Sequence, residues 1–282
     1  MSIEGKDIFT YRYPRPAVTT DCVIFGFDGA GLQVLLVRRG NEPFKGRWAL
    51  PGGFIHMDET LEQCARRELE EETHVDHVPL IELGAYSKVD RDPRERVVTV
   101  AYIALVRPSD FRVMGGDDAD EAAWFPVDDV PLLAFDHDEI LHDARERLKE
   151  ILRLRPVAFE LVDKQFTVDD LRRVYEAVNN ITYDRRNFHR KLMNSGLVEE
   201  VDPPEELFDM EIMEECLPTM SCCCAEPPAI TEMEKEITET DRRSSRQSKG
   251  RPARWFSLRR PSDTDPDTES TDDASVKDIF NF

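Results

Sequence analysis

No apolar run in this 282-residue chain approaches the roughly 20 residues that a membrane-spanning helix needs. The opening stretch, MSIEGKDIFTYRYPR, lacks an apolar h-region, so a secretory signal is not expected. Positive charge is scarce, with 37 basic against 58 acidic side chains and a formal net charge of −21. That balance excludes a chain-wide coat for nucleic acid or membrane surfaces and leaves room only for a local basic patch. The six cysteines form no disulfide framework: Cys22 and Cys64 sit in apolar patterns, while Cys216, Cys222, Cys223 and Cys224 fall late in a polar stretch. A reducing, cytoplasmic setting is the expectation. Hydrophobic residues supply 40% of the chain, below the usual globular share, so part of it is expected not to pack. No internal repeat is evident.

What is there divides into three regions. Residues 1–154 alternate strand-like and helix-like patterns in the order β-β-β-α-β-β-β-α, a mixed α/β domain. AVTTDCVIFGF and LQVLLVRR flank Asp28-Gly29-Ala30-Gly31 and predict a hairpin. A helix is predicted over about residues 60–73. An amphipathic helix is predicted from His137 to Leu154, with Ile140, Leu141, Ala144, Leu148, Ile151 and Leu152 near helical spacing. Residues 155–201 carry two short helices. The first has Thr167 as N-cap and Leu171, Val174, Tyr175 and Val178 on one face; the second stops at Gly196. Two such helices around a tight link predict a small helix-turn-helix or winged-helix domain. Residues 202–282 hold SCCCAEPP, a Ser/Arg stretch and an acidic end, and predict a disordered tail. Cys222, Cys223 and Cys224 are adjacent and cannot easily share one zinc; S-acylation competes there with a plain reducible stretch.

Chemistry concentrates in Gly53 to Val75, GFIHMDETLEQCARRELEEETHV. Leu61, Cys64, Ala65 and Leu69 mark the apolar face of a short helix. Glu68, Glu71 and Glu72 stand at i, i+3 and i+4, where like charges cost roughly 0.2–0.5 kcal/mol per pair. Arg67 offsets only part of that charge, so the group favours a hard divalent cation, Mg²⁺ or Mn²⁺. The Gly52-Gly53 turn lets a backbone carbonyl approach the same ion. The competing explanation is a solvated acidic helix face.

The wider spacing weighs against that explanation. Gly53, Glu59, Arg67, Glu68, Leu69, Glu71, Glu72 and Val75 stand in register with the Nudix box, a chance match on the order of one in 10⁵ or rarer per chain. The segment thus resembles that of Nudix hydrolases, which cleave a nucleoside diphosphate linked to another moiety. The resemblance implies an α/β/α sandwich with a mixed sheet. It also implies metal ligation by the Gly53 carbonyl, Glu68, Glu71 and Glu72, with Arg67 orienting a glutamate and Glu59 supporting the ion shell or the helix start. A bound metal lowers the pKa of the attacking water. One position departs from the pattern. His74 replaces the second glycine, expected at the helix end in a left-handed conformation at a cost of roughly 1 kcal/mol. Asp117, Asp118, Asp120 and Glu121 are candidate general bases, against the alternative of a solvated acidic loop.

The likeness extends over roughly residues 8–200 to a subgroup in which an ADP-ribose pyrophosphatase-type Nudix domain precedes a winged helix. It implies ADP-ribose as the leading substrate, with AMP and ribose 5-phosphate as products. Phe44 and Trp48 are candidates for base or ribose contact, with Trp48 also readable as core. Arg91, Arg94 and Arg96 are candidates for phosphate contact, or a solvated loop. The subgroup includes transcriptional regulators that sense a ligand and bind DNA. Arg185, Arg186, Arg190 and Lys191 lie where a recognition helix would read a groove; an ordinary solvated face is the alternative. Sensor-type relatives often have eroded carboxylates, and here all three remain, which favours a working hydrolase. Homodimers are common among such relatives.

Overall fold

The structure is a computed structural model that describes residues 10–75, 78–110, 119–204 and 254–259. Its first sheet is built on β1 (Ala17–Phe27). β1 turns back into β2 (Leu32–Arg39) through the anticipated hairpin. There Asp28 Oδ1 accepts from the amides of Ala30 and Gly31, each at 2.8 Å, and Gly29 adopts φ 86°. The third strand of the expected order, before the first helix, is two strands, β3 (Trp48–Ala49) and β4 (Gly52–Phe54). Pro51 between them has no N–H to give to a ladder, so the chain changes neighbour there. β3 pairs with β2, and β4 pairs with β1.

α1 (Leu61–Thr73) follows, then β5 (Leu80–Tyr86), β6 (Val97–Val106), β7 (Ala119–Pro126) and α2 (His137–Leu154). β6 runs parallel to β1 along its whole length, β5 is antiparallel to β6, and β7 is antiparallel to β2. Among the described residues this sheet has seven strands. Alternation along β1 sends Cys22 and Ile24 to the face covered by Ala65 and Leu69 of α1. Val23 and Phe25 point to the other face, against Ile140, Ala144 and Leu148 of α2. The result is the mixed-sheet α/β/α sandwich anticipated.

The second core cluster does not stop at the end of α2. It continues through Phe159 and Leu161 into α3 (Val168–Asn179) and α4 (Arg185–Asn194). Thr167 caps α3 as anticipated: its Oγ1 accepts from Asp170 N, and Asp170 Oδ2 accepts in return from Thr167 N. Asp184 caps α4. Gly196, at φ 68°, follows the helix end. A three-stranded sheet of β8 (Phe166–Thr167), β9 (Val198–Val201) and β10 (Trp255–Leu258) completes the winged helix, with β10 in the middle.

β10 corrects the expectation that everything after residue 201 is tail. Phe256 is buried in the shared core, and the strand pairs with both β8 and β9. Four residues of alternating pattern, WFSL, inside a Ser/Arg-rich stretch are too short to register as a strand by periodicity. The remaining tail, including Cys216 and Cys222 to Cys224, lies outside the described residues. Among the described residues no helix is long and apolar enough to cross a membrane.

Candidate functional site

Two elements meet at the site. β4 is held against β1, and α1 crosses behind it, its start fixed by a capping box. In that box Gln63 N donates to Thr60 Oγ1 at 3.3 Å, and Thr60 N donates to Gln63 Oε1 at 2.8 Å. This orientation turns Glu68 and Glu72 toward the Gly52-Gly53 turn. Glu72 Oε2 accepts from Gly52 N at 2.9 Å. A side chain at position 53 would put its Cβ 2.2 Å from Glu68 Oε1, so only glycine allows strand and carboxylate to approach this closely.

Arg67 organises the carboxylates. Its Nε and one terminal nitrogen hold Glu59 at 3.0 and 2.8 Å, a two-point pair. Its other terminal nitrogen reaches Glu68 at 2.8 Å and Glu71 at 3.1 Å, and a further bond of 3.2 Å goes to the Phe54 carbonyl. The Arg67 hydrogen bonds hold the Glu59 carboxyl down at about 2. Burial pushes Glu72 up to about 8, against the opposing pull of the Gly52 N–H, with the charges of Glu68 and Asp21 adding to the rise. Burial also raises Glu68, opposed by Arg67. Two half-buried carboxylates that resist ionising together are what a divalent cation relieves.

Among the described residues, no group of three or more His, Cys, Asp or Glu side chains is gathered closely enough to hold a metal ion as it stands. Glu68 and Glu72 line one cavity with Gly53, whereas the Glu71 side chain is 60% exposed and is not part of that lining. The crowding of three carboxylates on one face is therefore met by two. The donor types still suit a hard ion, because the Glu68 and Glu72 carboxylates and the Gly53 carbonyl all offer oxygen. His74 takes the left-handed conformation anticipated, at φ 59°. Its Nδ1 lies 3.1 Å from the Glu70 carbonyl and its side chain is exposed, so it ends the helix and supports no ligand.

The cavity, about 410 Å³, extends from these carboxylates across the α2 face of the sheet. Of the arginines singled out for phosphate contact, Arg94 lines it with its guanidinium held by Asp92 at 3.0 and 2.7 Å. Arg91 also lines it, but its guanidinium is taken by Asp136, at 3.0 and 2.7 Å, and by Asp21, at 3.2 Å. This buried network ties β1 to the start of α2. Arg96 donates to the carbonyls of Ser87, Lys88 and Val97 and braces a loop. Trp48 packs edge-on against Phe125, with centroids 4.7 Å apart, and lies half-buried against the core. Phe44 meets Phe135 edge-on at 5.0 Å, beside the cavity.

Sequence reasoning missed Asp21, Arg39, Phe135 and His137, which all line the same cavity. His137 Nδ1 accepts from Leu50 N at 2.9 Å, and burial lowers its pKa. The available signal was a charged residue, Asp21, inside an otherwise apolar strand, and the pair Arg38-Arg39 ending β2. Asp117 and Asp118 lie outside the described residues; Asp120 and Glu121 have backbone positions in β7 only.

On the winged helix, Arg185, Arg186 and Arg190 are exposed along α4, and Lys191 is half-buried. Arg185 Nε pairs with Asp169 at 3.1 Å, and Arg190 donates to Asn187 at 2.9 Å. Phe188 and Leu192 anchor the opposite face of α4 in the core. Arg254 of the wing strand region pairs with Glu200. Arg254, Arg185, Arg186 and His189 line one groove of about 420 Å³.

Comparison with known proteins agrees with both halves. A NUDIX domain matches residues 15–144, and an NrtR DNA-binding winged helix domain matches residues 158–206. The chain is 35% identical over 194 residues to the ADPR responsive transcriptional repressor NtrR of Acinetobacter baylyi, covering 67% of this chain and 77% of that one. It is 42% identical over 144 residues to the ADP-ribose pyrophosphatase of Methanocaldococcus jannaschii, covering 50% and 80%. It superposes on Shewanella oneidensis NrtR complexed with a 27mer DNA with a TM-score of 0.62 at 28% identity, covering 86% and 93%. With its box residues in register and its sandwich continuous with a winged helix, this chain belongs to the Nudix family, in the branch that joins a Nudix domain to an NrtR-type winged helix.

Proposed function

We propose that this protein binds ADP-ribose in the cavity beside the Nudix box, cleaves it with Mg²⁺ (or Mn²⁺) to AMP and ribose 5-phosphate, and couples occupancy to DNA binding by the winged helix. The observation that carries this is the intact arrangement of Arg67, Glu59, Glu68 and Glu72 around Gly52-Gly53. A fold kept only for sensing has no need of two half-buried carboxylates that repel each other. In this proposal Gly53, Glu68, Glu71 and Glu72 hold the cation, which neutralises diphosphate charge and lowers the pKa of the attacking water. Arg67 keeps Glu68 and Glu59 oriented. Glu72, half-buried and held to the turn by the Gly52 N–H, would be ionised where a cation is bound.

The DNA-binding part is favoured by a separate observation: both modules share one hydrophobic core, from Phe25 through α2 to Phe188 and Phe256. A ligand-linked shift of α2 therefore cannot leave α3 and α4 untouched. Arg185, Arg186, Arg190 and Lys191 are the proposed phosphate-binding side chains. The experiment is fluorescence anisotropy on duplex DNA selected from a randomised pool with the full chain, over a salt series, with and without ADP-ribose. Wild type should bind with a steep salt slope, and ADP-ribose should change the affinity. Replacing Arg185 and Arg186 by Ala should flatten the slope by about 0.9 for each phosphate that is no longer neutralised. Failure to select any duplex would remove the regulatory part and leave the hydrolase.

A further inference from the structure

We propose that Arg39 and Arg94, set against the Phe135 ring, form an anion clamp that holds the diphosphate of the ligand without any metal, so that the cation is needed for cleavage and not for binding. This rests on the proposed function in naming ADP-ribose; the clamp itself stands on the shape and charge of the cavity.

Arg39 and Arg94 approach one aromatic ring, with guanidinium carbons 4.7 and 5.8 Å from the Phe135 centroid. Arg94 also lies 5.3 Å from the Phe54 centroid. Each guanidinium is held along one edge and leaves nitrogens for a ligand. Arg39 Nε donates to the Pro43 carbonyl at 2.8 Å. Arg94 gives Nε and one terminal nitrogen to Asp92. Among the described residues no carboxylate pairs with Arg39. Its half-buried charge is disfavoured first by desolvation and next by the charge of Arg94, against the more distant pull of Glu72, Asp92 and Asp21. Two cations brought together in a cavity, one of them without a paired carboxylate, make a site that an anion stabilises.

The backbone is shaped to the same end. The β2–β7 register shifts between Arg38 and Arg39, the kind of irregularity that re-aims a side chain beside a site. Phe135 and Phe44, in edge contact, both hold left-handed backbone, at φ 54° and 64°. Bulky residues adopt that region at a cost and keep it where surrounding structure demands it. The clamp shares its cavity with Glu68 and Glu72. A diphosphate set across the cavity would offer one side to the carboxylate-held cation and the other to the arginines. A protein that senses its ligand through the arginines responds to it whatever the local magnesium.

The test is isothermal titration of the full chain with two probes, ADP-ribose and inorganic pyrophosphate, in EDTA and in Mg²⁺. Both should bind in EDTA. Arg39→Gln should weaken metal-free binding at least about tenfold, and Arg39→Lys should recover part of it, because charge returns without the planar fork. Arg94→Gln should act in the same direction; it also strands Asp92, so the Arg39 pair decides, with thermal unfolding confirming that each variant is folded. Binding seen only with Mg²⁺, binding of neither probe under any condition, or metal-free binding indifferent to Arg39 would each overturn the clamp. If pyrophosphate binds through Arg39 while ADP-ribose binds under no condition, the clamp stands and the ADP-ribose proposal falls.

Discussion

Replacing Arg67 by Gln should remove the brace between the carboxylates and leave a pH signature. The guanidinium holds Glu59 by two bonds and also reaches Glu68, Glu71 and the Phe54 carbonyl. Its hydrogen bonds hold the Glu59 carboxyl at about 2, against an ordinary 4.5. At about 1.4 kcal/mol per tenfold change in proton affinity, the ceiling for that pair is about 3 kcal/mol. The site opens to solvent on one side, and screening reduces the expected contribution to about 1–2 kcal/mol. The sign follows from a depressed carboxylate pKa: the contribution is fully present above pH 4.5 and is lost as pH falls through about 2. Urea unfolding in EDTA should therefore show the variant less stable by about 1–2 kcal/mol at pH 7, with the gap closing as pH falls below 4.5 toward 2. A gap that stays constant across that window, or no gap at pH 7, would refute the assignment of Arg67 as the carboxylate brace.

Other expectations follow from single residues. Gly53→Ala drives a methyl into the Glu68 carboxylate, 2.2 Å away, and should lower Mg²⁺-dependent turnover by at least about tenfold with the circular dichroism unchanged. Thr99 is fully buried with an Oγ1 that has no hydrogen-bond partner, so the isosteric Thr99→Val should stabilise the protein by about 1 kcal/mol in urea unfolding. Phe256→Ala empties a buried position in the middle strand of the wing sheet and should cost about 3–5 kcal/mol. DNA binding should fall with it, read by anisotropy, while turnover at the Nudix box persists.

Local patterns carried most of the fold. The DGAG turn, the Thr167 cap and the 3.6-residue periodicity of α2 each specify their element within a few residues, and all appear where expected. The box carboxylates were legible for the same reason: one helix and one turn contain them. The rest of the cavity was not. Arg39, Arg94 and Phe135 come from three separate stretches, which the β2–β7, β1–β2 and β1–β6 pairings bring to one wall. Arg91 shows the converse, since a loop arginine downstream of the Nudix box looks like a phosphate ligand until Asp21 and Asp136 fold onto it. β10 was hidden because a four-residue strand that joins its partners from more than fifty positions downstream leaves no local period.

The most direct measurement is incubation of the full chain with ADP-ribose and Mg²⁺, wild type beside Glu72→Gln, with products quantified by chromatography. Wild type should release AMP and ribose 5-phosphate in equal amounts, and the variant, which loses a charged oxygen ligand facing Gly52, should be slower by at least about a hundredfold. Intact ADP-ribose after prolonged incubation with wild type, or equal rates for the two proteins, would contradict catalysis by the Glu68–Glu72 pair.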